Sequence, residues 1–381
     1  MIYLDNGATS FPKPKGMANA MEECILKYCG NPGRSGHYMS MKTGEEVYNA
    51  RQRLASLFNI DKAERLIFTK NATEALNLGI NGILNEGDHV VTTSMEHNSV
   101  LRPLKFLERK GVTHTIVKGN SKGYVSPEAI AKHIKENTKL IVCTHASNVT
   151  GTINDIEKIG KIVAKQGKIF MVDAAQSAGS VPVDIKKMHI DLLAFPGHKG
   201  LLGPLGTGGL YADDRVDIKP LLYGGTGTDS KNRMQPRDYP EGFEAGTVNA
   251  PAIIGLGYSA TFVEEFGIDR IGKFEQELIG RFEEGIGNME FVKLYGPEPS
   301  AKTGISLFNI EGLSCEDVTT ELNDKYGIAM RGGFHCAGLA HKTIGTWNEG
   351  AVRLSVGPFT TRSEIDKAID AVYKIGKRGL T

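Results

Sequence analysis

The sequence is short of the features that would place it at a glance. Its 381 residues hold one Trp and five Cys, and 45 basic side chains stand against 44 acidic ones for a net charge of +1. So even a balance gives no field to attract nucleic acid or an anionic membrane. The cysteines (Cys24, Cys29, Cys143, Cys315 and Cys336) are odd in number and contain no Cys-x-x-Cys pair. That argues against a disulfide framework or a bound metal such as zinc, and it suits a reducing, cytoplasmic compartment. It leaves room for a single reactive thiol. No apolar run approaches the roughly 20 residues of a membrane span. The first residues, Met1-Ile2-Tyr3-Leu4-Asp5-Asn6, lack a basic stretch followed by an apolar one, so no signal peptide is expected. Internal repeats and low-complexity tracts are also missing.

What is present is a chain long enough for more than one core. From about residue 43 to 212, helical and strand patterns alternate. Thr43 suits a helix cap with Glu46 at the capping-box position, ahead of Val47, Ala50, Leu54, Leu57 and Phe58 at helical spacing. Short β-rich runs are expected at 66–69, 89–94, 113–118, 140–144, 169–172 and 191–195. Helices between them start near Thr73, at Ser126-Pro127 and near Ile156, the last stopping at Gly167. Apolar strands separated by helices predict an α/β fold with a mostly parallel sheet covered on both faces. Residues 213–250, rich in Gly, Asp, Arg and Pro, read as an irregular loop or hairpin. Beyond them come long helices (251–266, 270–286), strands near 304–309, 328–330 and 352–356, and helix starts at Ser314 and Thr361. The expected division is a large α/β domain over residues 15–259 and a smaller α+β domain over 260–381 together with residues 1–14.

Two residues carry the first chemical signal. Asp173 closes the run Ile169-Phe170-Met171-Val172, and Lys199 follows the run ending at Phe195 within Gly197-His198-Lys199-Gly200. A lysine and an acid after consecutive strands suit pyridoxal 5′-phosphate. The amine binds the aldehyde, and the acid keeps the pyridine nitrogen protonated so that the ring accepts electrons. Carboxyl ends of strands are also where α/β sheets bind ligands. Alternative readings are a surface lysine and a helix-capping aspartate; the flanking glycines and apolar strands weigh against them.

Further motifs run the length of the chain: Leu4-Asp5-Asn6-Gly7-Ala8-Thr9-Ser10, Ala72-Thr73-Glu74-Ala75, Met95-Glu96-His97-Asn98, Ser147-Asn148-Val149-Thr150-Gly151, Asp173-Ala174-Ala175-Gln176-Ser177, Gly197-His198-Lys199, Phe243-Glu244-Ala245-Gly246-Thr247, Arg331-Gly332-Gly333-Phe334-His335-Cys336 and Val352-Arg353-Leu354-Ser355. Each is weak alone. In this order they resemble the class V aminotransferase superfamily of fold-type I PLP enzymes, and within it the cysteine desulfurases, group II and selenocysteine lyase-like members in particular.

The resemblance implies roles. Lys199 carries the cofactor and then acts as base; Asp173 pairs with the pyridinium; Gln176 and Asn148 reach the phenolic oxygen; His97 stacks on the ring. Thr73 and His198 hold the phosphate, and Thr247 reaches the phosphate of the neighbouring subunit in a homodimer. Pro196 departs from the Ser or Thr usual near the His-Lys pair, which removes one expected hydroxyl. Arg353 receives the substrate carboxylate, a match of guanidinium fork to carboxylate. Asn148, Arg34 and Arg331 are further substrate-side candidates, and His37 is a weaker one. Cys336, in a Gly-rich loop after His335, takes the sulfur as a thiolate nucleophile, whereas Cys24, Cys143 and Cys315 read as small buried hydrophobes. The implied reaction turns L-cysteine into L-alanine and leaves a persulfide on Cys336 for a small sulfur-acceptor protein. Two other readings stay open: a selenocysteine lyase acting on L-selenocysteine, and an aminotransferase or carbon–sulfur lyase in which Cys336 is incidental. A catalytically silent scaffold is disfavoured by the intact Lys199, Asp173 and Arg353.

Overall fold

The computed structural model describes residues 1–33 and 35–379; Arg34 lies outside the described residues. The chain opens with β1 (Ile2–Tyr3), α1 (Lys15–Glu23) running on into a π-helical turn (Cys24–Tyr28), and α2 (Tyr38–Leu57). There follow β2 (Leu66–Thr69), α3 (Ala72–Ile83), β3 (His89–Thr93), α4 (Asn98–Leu107), β4 (Thr113–Val117), α5 (Pro127–Ala131), β5 (Thr138–Thr144), α6 (Ile156–Lys165), β6 (Ile169–Asp173), β7 (Leu192–Pro196) and β8 (Gly208–Ala212). Seven of these strands form one sheet in the order β2-β8-β7-β6-β5-β3-β4. It is parallel from β7 to β4, and β8 runs antiparallel to both of its neighbours.

The strand runs are apolar without interruption because both faces are covered. Val90, Leu140, Val142, Met171 and Leu192 pack on one face under α3 and α4. Val91, Ile141, Cys143, Phe170, Val172, Leu193 and Phe195 pack on the other with Leu54 of α2, and with Ile159 and Val163 of α6. The period of two between the sets is that of a strand.

After an irregular stretch come α7 (Ala250–Phe266), α8 (Ile268–Ile286), β9 (Val292–Tyr295), β10 (Ile305–Ile310), α9 (Cys315–Tyr326), β11 (Ile328–Ala329), α10 (Gly338–Ile344), β12 (Val352–Ser355) and α11 (Arg362–Gly379). An antiparallel sheet β12-β10-β9 and the helices α8, α9 and α11 share a third core, with Leu4, Phe282, Phe308, Leu322, Val352, Leu354 and Val372. The N-terminal residues join this part of the molecule. β1 pairs in parallel with β11, and Asp5 bridges to Ser355. The start signals at Ser314 and Thr361 are real. Ser314 Oγ accepts from Asp317 N, and Thr361 and Glu364 exchange bonds of 2.8 and 3.3 Å as a capping box.

One local reading needs correction. Thr43 does not cap α2. That helix begins at Tyr38 beneath His37, whose ring accepts from Ser40 N, and Thr43 is buried inside it with its hydroxyl 2.6 Å from Tyr28 O and 2.8 Å from Met39 O. Strand β8 is not among the expected runs. Its opening glycines serve packing: a Cβ on Gly209 would lie 2.5 Å from the Phe195 ring. Residues 213–250 are irregular as expected, with a short 3-10 turn at Glu241–Phe243. No helix among the described residues is long and apolar enough to cross a membrane.

Candidate active site

The parallel sheet brings four strand ends to one edge, the edge where open α/β sheets bind ligands. β6 ends on Asp173, which is paired with Ala194 of β7. β7 leads within three residues to Lys199, β5 leads to Asn148, and β3 leads to His97. The Asp173 carboxyl is buried and accepts from Ala175 N at 2.9 Å, and burial raises its pKa. The Lys199 amine is held down to about 8, by burial first and then by Arg353. Such an amine is a far better nucleophile and base near neutral pH than an ordinary lysine.

Two helix starts point at the same edge. Asn71 caps α3 by accepting from Glu74 N, and Thr73 lies in its first turn. His97 caps α4, its Nδ1 accepting from Ser99 N at 3.0 Å. Thr73 Oγ1 and His97 Nδ1 each lie 2.8 Å from Ser99 Oγ. Because Nδ1 accepts a backbone N–H, the neutral ring keeps its proton on Nε2. Burial, with Lys199 next, pushes the His97 pKa down to about 4, so the ring stays neutral across the working range. The caps use the ring edge and do not commit its face. Two helix N-termini joined by hydroxyls suit an anion.

His198 is held mainly through its backbone. Its carbonyl lies within hydrogen-bond reach of Ser10 N (3.0 Å), Thr9 Oγ1 (3.0 Å), Ser10 Oγ (3.1 Å) and the Lys13 amine (2.8 Å). Its ring Nδ1 is buried without a partner among the described residues. Burial followed by Lys199 lowers its pKa to about 4. Gln176 donates to Gly7 O at 3.0 Å, tying the N-terminal segment to the loop after β6. Behind Lys199, a cavity of about 40 Å³ is lined by Gln176, Ser180, Glu275 and Ser355 among others. Pro196 closes β7 opposite Gly208.

On the opposite wall, Arg353 of β12 is wholly buried. Its Nη2 pairs with Asp5 Oδ1 at 2.8 Å and its Nη1 donates to Asn148 O at 2.9 Å, while Nε has no partner among the described residues. Gly7 lets the backbone pass close to this pair, since a Cβ would come within 3.1 Å of the Arg353 guanidinium carbon. Arg331 sits beside Arg353 in an antiparallel bridge, and its Nη2 reaches Cys336 Sγ at 3.9 Å. Cys336 is exposed. Its carbonyl accepts from Asn98 N at 2.9 Å, which fastens the thiol loop to the start of α4 next to His97. Asn148 Nδ2 donates to His335 O at 2.6 Å. Cys24, Cys143 and Cys315 are buried, and Cys29 is exposed.

The sequence-expected residues Lys199, Asp173, His97, Thr73, Asn148, Gln176, His198, Arg331, Arg353 and Cys336 therefore surround one edge of the sheet. Thr247 is exposed next to Gly246, in a segment fixed by the buried Arg51–Glu244 pair at 2.7 Å, and among the described residues its side chain has no hydrogen bond to this edge. His37 caps α2. Sequence reasoning gave no role to Ser99, Asp5, Lys13 or Glu275. Asp5 sits inside the first motif, but Ser99, Lys13 and Glu275 carry no signal short of the fold.

Residues 2–368 match the model of the family described as Aminotransferase class-V, and the chain belongs to that family. Its curated relatives bear a narrower name. It is 36% identical to a "Probable cysteine desulfurase" of Methanothermobacter thermautotrophicus, over 99% of this chain and 95% of that protein. It is 37% identical to one of Pyrococcus abyssi, over 99% and 94%. Among solved structures it resembles the apo cysteine desulfurase of Thermococcus onnurineus NA1, with a TM-score of 0.93, 36% identity, and coverage of 99% and 94%. The fold read from the sequence is the fold of these proteins.

Proposed function

We propose that the chain is a pyridoxal-phosphate-dependent cysteine desulfurase: L-cysteine becomes L-alanine, and the sulfur stays as a persulfide on Cys336. The observation that carries this reading is the placement of Cys336. An exposed thiol is fastened by its own backbone beside His97, on a loop whose Arg331 is the backbone neighbour of the carboxylate-binding candidate Arg353.

The residues fit the cofactor. A buried acid, a buried amine with a lowered pKa, an imidazole ring with an uncommitted face, two helix starts and the unpartnered His198 Nδ1 lie along one edge. Lys199 would hold the aldehyde carbon, Asp173 the ring nitrogen, Gln176 and Asn148 the phenolic oxygen, and Thr73 with His198 the phosphate. When bound, the group supplies a sink for electrons released from the substrate. The chain's own residues do the rest. Arg353 orients the substrate carboxylate, and Lys199, low in pKa, removes the α-proton and returns it. His97 holds a proton on Nε2. The Cys336 thiolate takes the substrate sulfur, forming an S–S bond as the carbon–sulfur bond breaks. The carbon keeps the electron pair and is protonated to alanine. Free thiol and cysteine give persulfide and alanine, so no external oxidant is needed.

The large unit would comprise residues 15–259, and the smaller one residues 260–381 with 1–14. The active form would be a homodimer, with Thr247 of each chain reaching the other's phosphate. Support comes from exposed Ile25, Leu26, Met41, Tyr48, Leu222 and Tyr223, and from a cleft of about 480 Å³ lined by Tyr48, Arg51, Thr226, Gly246 and Val248. The persulfide would pass to a sulfur-acceptor protein. The test is incubation of purified enzyme with L-cysteine and a reductant. Equal amounts of alanine and sulfide are expected from wild type and none from Cys336→Ala; a Cys336→Ala enzyme of full activity would sink the reading.

A further inference from the structure

Behind Cys336 lies a line of polar side chains that the proposed reaction leaves unused. Thr346 Oγ1 is 2.7 Å from His341 Nδ1, His341 Nε2 is 3.1 Å from His335 Nδ1, and His335 Nε2 is 3.1 Å from the carbonyl of Arg331. All three side chains are buried, His341 and Thr346 completely. The imidazole planes differ by 16°.

The proton positions along this line are forced. A carbonyl only accepts, so His335 carries its proton on Nε2. Burial keeps both rings neutral. It lowers His341 to about 4 and His335 well below its ordinary value, with Arg353 and Arg331 facing His335 as further causes. His335 Nδ1 is then bare and must accept, so His341 donates from Nε2. His341 Nδ1 is bare in turn and takes the hydroxyl proton of Thr346. Each ring has one tautomer and one orientation.

The line ends on the loop that carries the thiol. His335 and Cys336 are consecutive non-glycine residues at φ +50° and +57°. Two left-handed residues in a row are unfavourable without outside support. His335 supplies it at both ends, through its ring to Arg331 O and His341, and through its carbonyl to Asn148 Nδ2. We propose that His341 is a positioning residue for sulfur transfer: by fixing the His335 ring, it holds Cys336 in the left-handed turn with Sγ beside Arg331. This inference rests on the reading of Cys336 as the sulfur-accepting thiol.

The test compares His341→Leu, His341→Gln and Thr346→Val in the holoenzyme. It measures kcat, KM for L-cysteine and single-turnover persulfide on the Cys336 peptide. A Gln amide can place an N–H where His341 Nε2 donates, and Val keeps the shape of Thr while removing only the hydroxyl. Misplacing a reacting group costs rate steeply, so His341→Leu is expected to lower kcat and persulfide yield about 10–100-fold with KM little changed. His341→Gln should recover to within about 5-fold of wild type, and Thr346→Val should fall between, about 3–10-fold down. Wild-type kcat in His341→Leu or Thr346→Val overturns the inference, and so does a Gln variant no better than Leu. If His341→Leu does not fold, Thr346→Val decides alone. Absence of persulfide on Cys336 in the wild type would instead sink the underlying reading, so the two failures are distinct.

Discussion

Asp5 and Arg353 form a 2.8 Å ion pair in which the arginine is sealed and the aspartate is partly open to solvent. The guanidinium that should receive the substrate's carboxylate thus already holds one, supplied by the N-terminal segment. Burial lowers the Arg353 pKa and Asp5 opposes that shift, so the pair offsets part of the cost of sealing the guanidinium from water.

The pair makes opposite predictions for its two members. Arg353→Ala should lower kcat/KM for cysteine by about 30–1,000-fold, or roughly 2–4 kcal/mol, mostly through KM. Asp5→Asn keeps an acceptor for Arg353 but removes the competing charge. Its KM should stay at or below that of wild type while its Tm falls. Steady-state kinetics and thermal melts check both. A KM raised in Asp5→Asn as much as in Arg353→Ala would show that Asp5 orients the arginine rather than competing with the substrate.

Lys199 and Glu275 give the apo protein a pH signature. The Lys199 amine titrates near 8 when folded against an ordinary 10.5, so between these values the unfolded chain binds more protons and stability rises with pH. Glu275, buried at the cavity behind it, titrates near 8 against an ordinary 4.5. In that window the folded state binds more protons, so stability falls as pH rises from about 4.5 to 8. Glu275→Gln should therefore gain Tm over wild type progressively toward pH 8, and Lys199→Met should flatten the rise between pH 8 and 10. Scanning calorimetry across pH 5–10 is the check, and parallel wild-type and variant curves would contradict the assignment.

Much of this site was legible because it lies in local patterns that the backbone must obey. Asp173 and Lys199 follow apolar runs, and adjacent parallel strands set them at one edge. Ser314 and Thr361 could be read because a cap acts within four residues. Thr43 misled for the same reason: its spacing to Glu46 is right, but burial against Tyr28, fifteen residues away, overrides it. Strand β8 was hidden because its glycines answer to the Phe195 ring on a neighbouring strand. Ser99, Lys13 and Asp5 act only across loops or across the chain, to Thr73, His198 and Arg353. No sequence window contains both partners of such contacts.

Thr247 bears on the quaternary arrangement. In a shared-site dimer, mixing Lys199→Ala with Thr247→Ala chains should place both lesions in one site and leave the other intact. Heterodimers isolated by two affinity tags should recover about half of wild-type activity, while each parent homodimer stays impaired. No recovery would mean that Thr247 acts within its own chain or not at all.

Cys336→Ala separates the desulfurase from its rivals. The substitution removes the thiol while leaving Lys199, Asp173 and Arg353 in place, so the variant should still bind cofactor and show a spectral change on adding cysteine. Alanine formation from cysteine should collapse, because nothing remains to take the sulfur. After brief exposure to cysteine, the wild-type peptide containing His335-Cys336 should carry one extra sulfur by mass. Selenocysteine discriminates further. Its carbon–selenium bond is weaker and selenide leaves more readily, so some release from selenocysteine should survive in Cys336→Ala even where cysteine turnover is lost. Full cysteine turnover by the variant, with no added sulfur on the wild-type peptide, would make Cys336 incidental and favour a carbon–sulfur lyase acting through Lys199 alone.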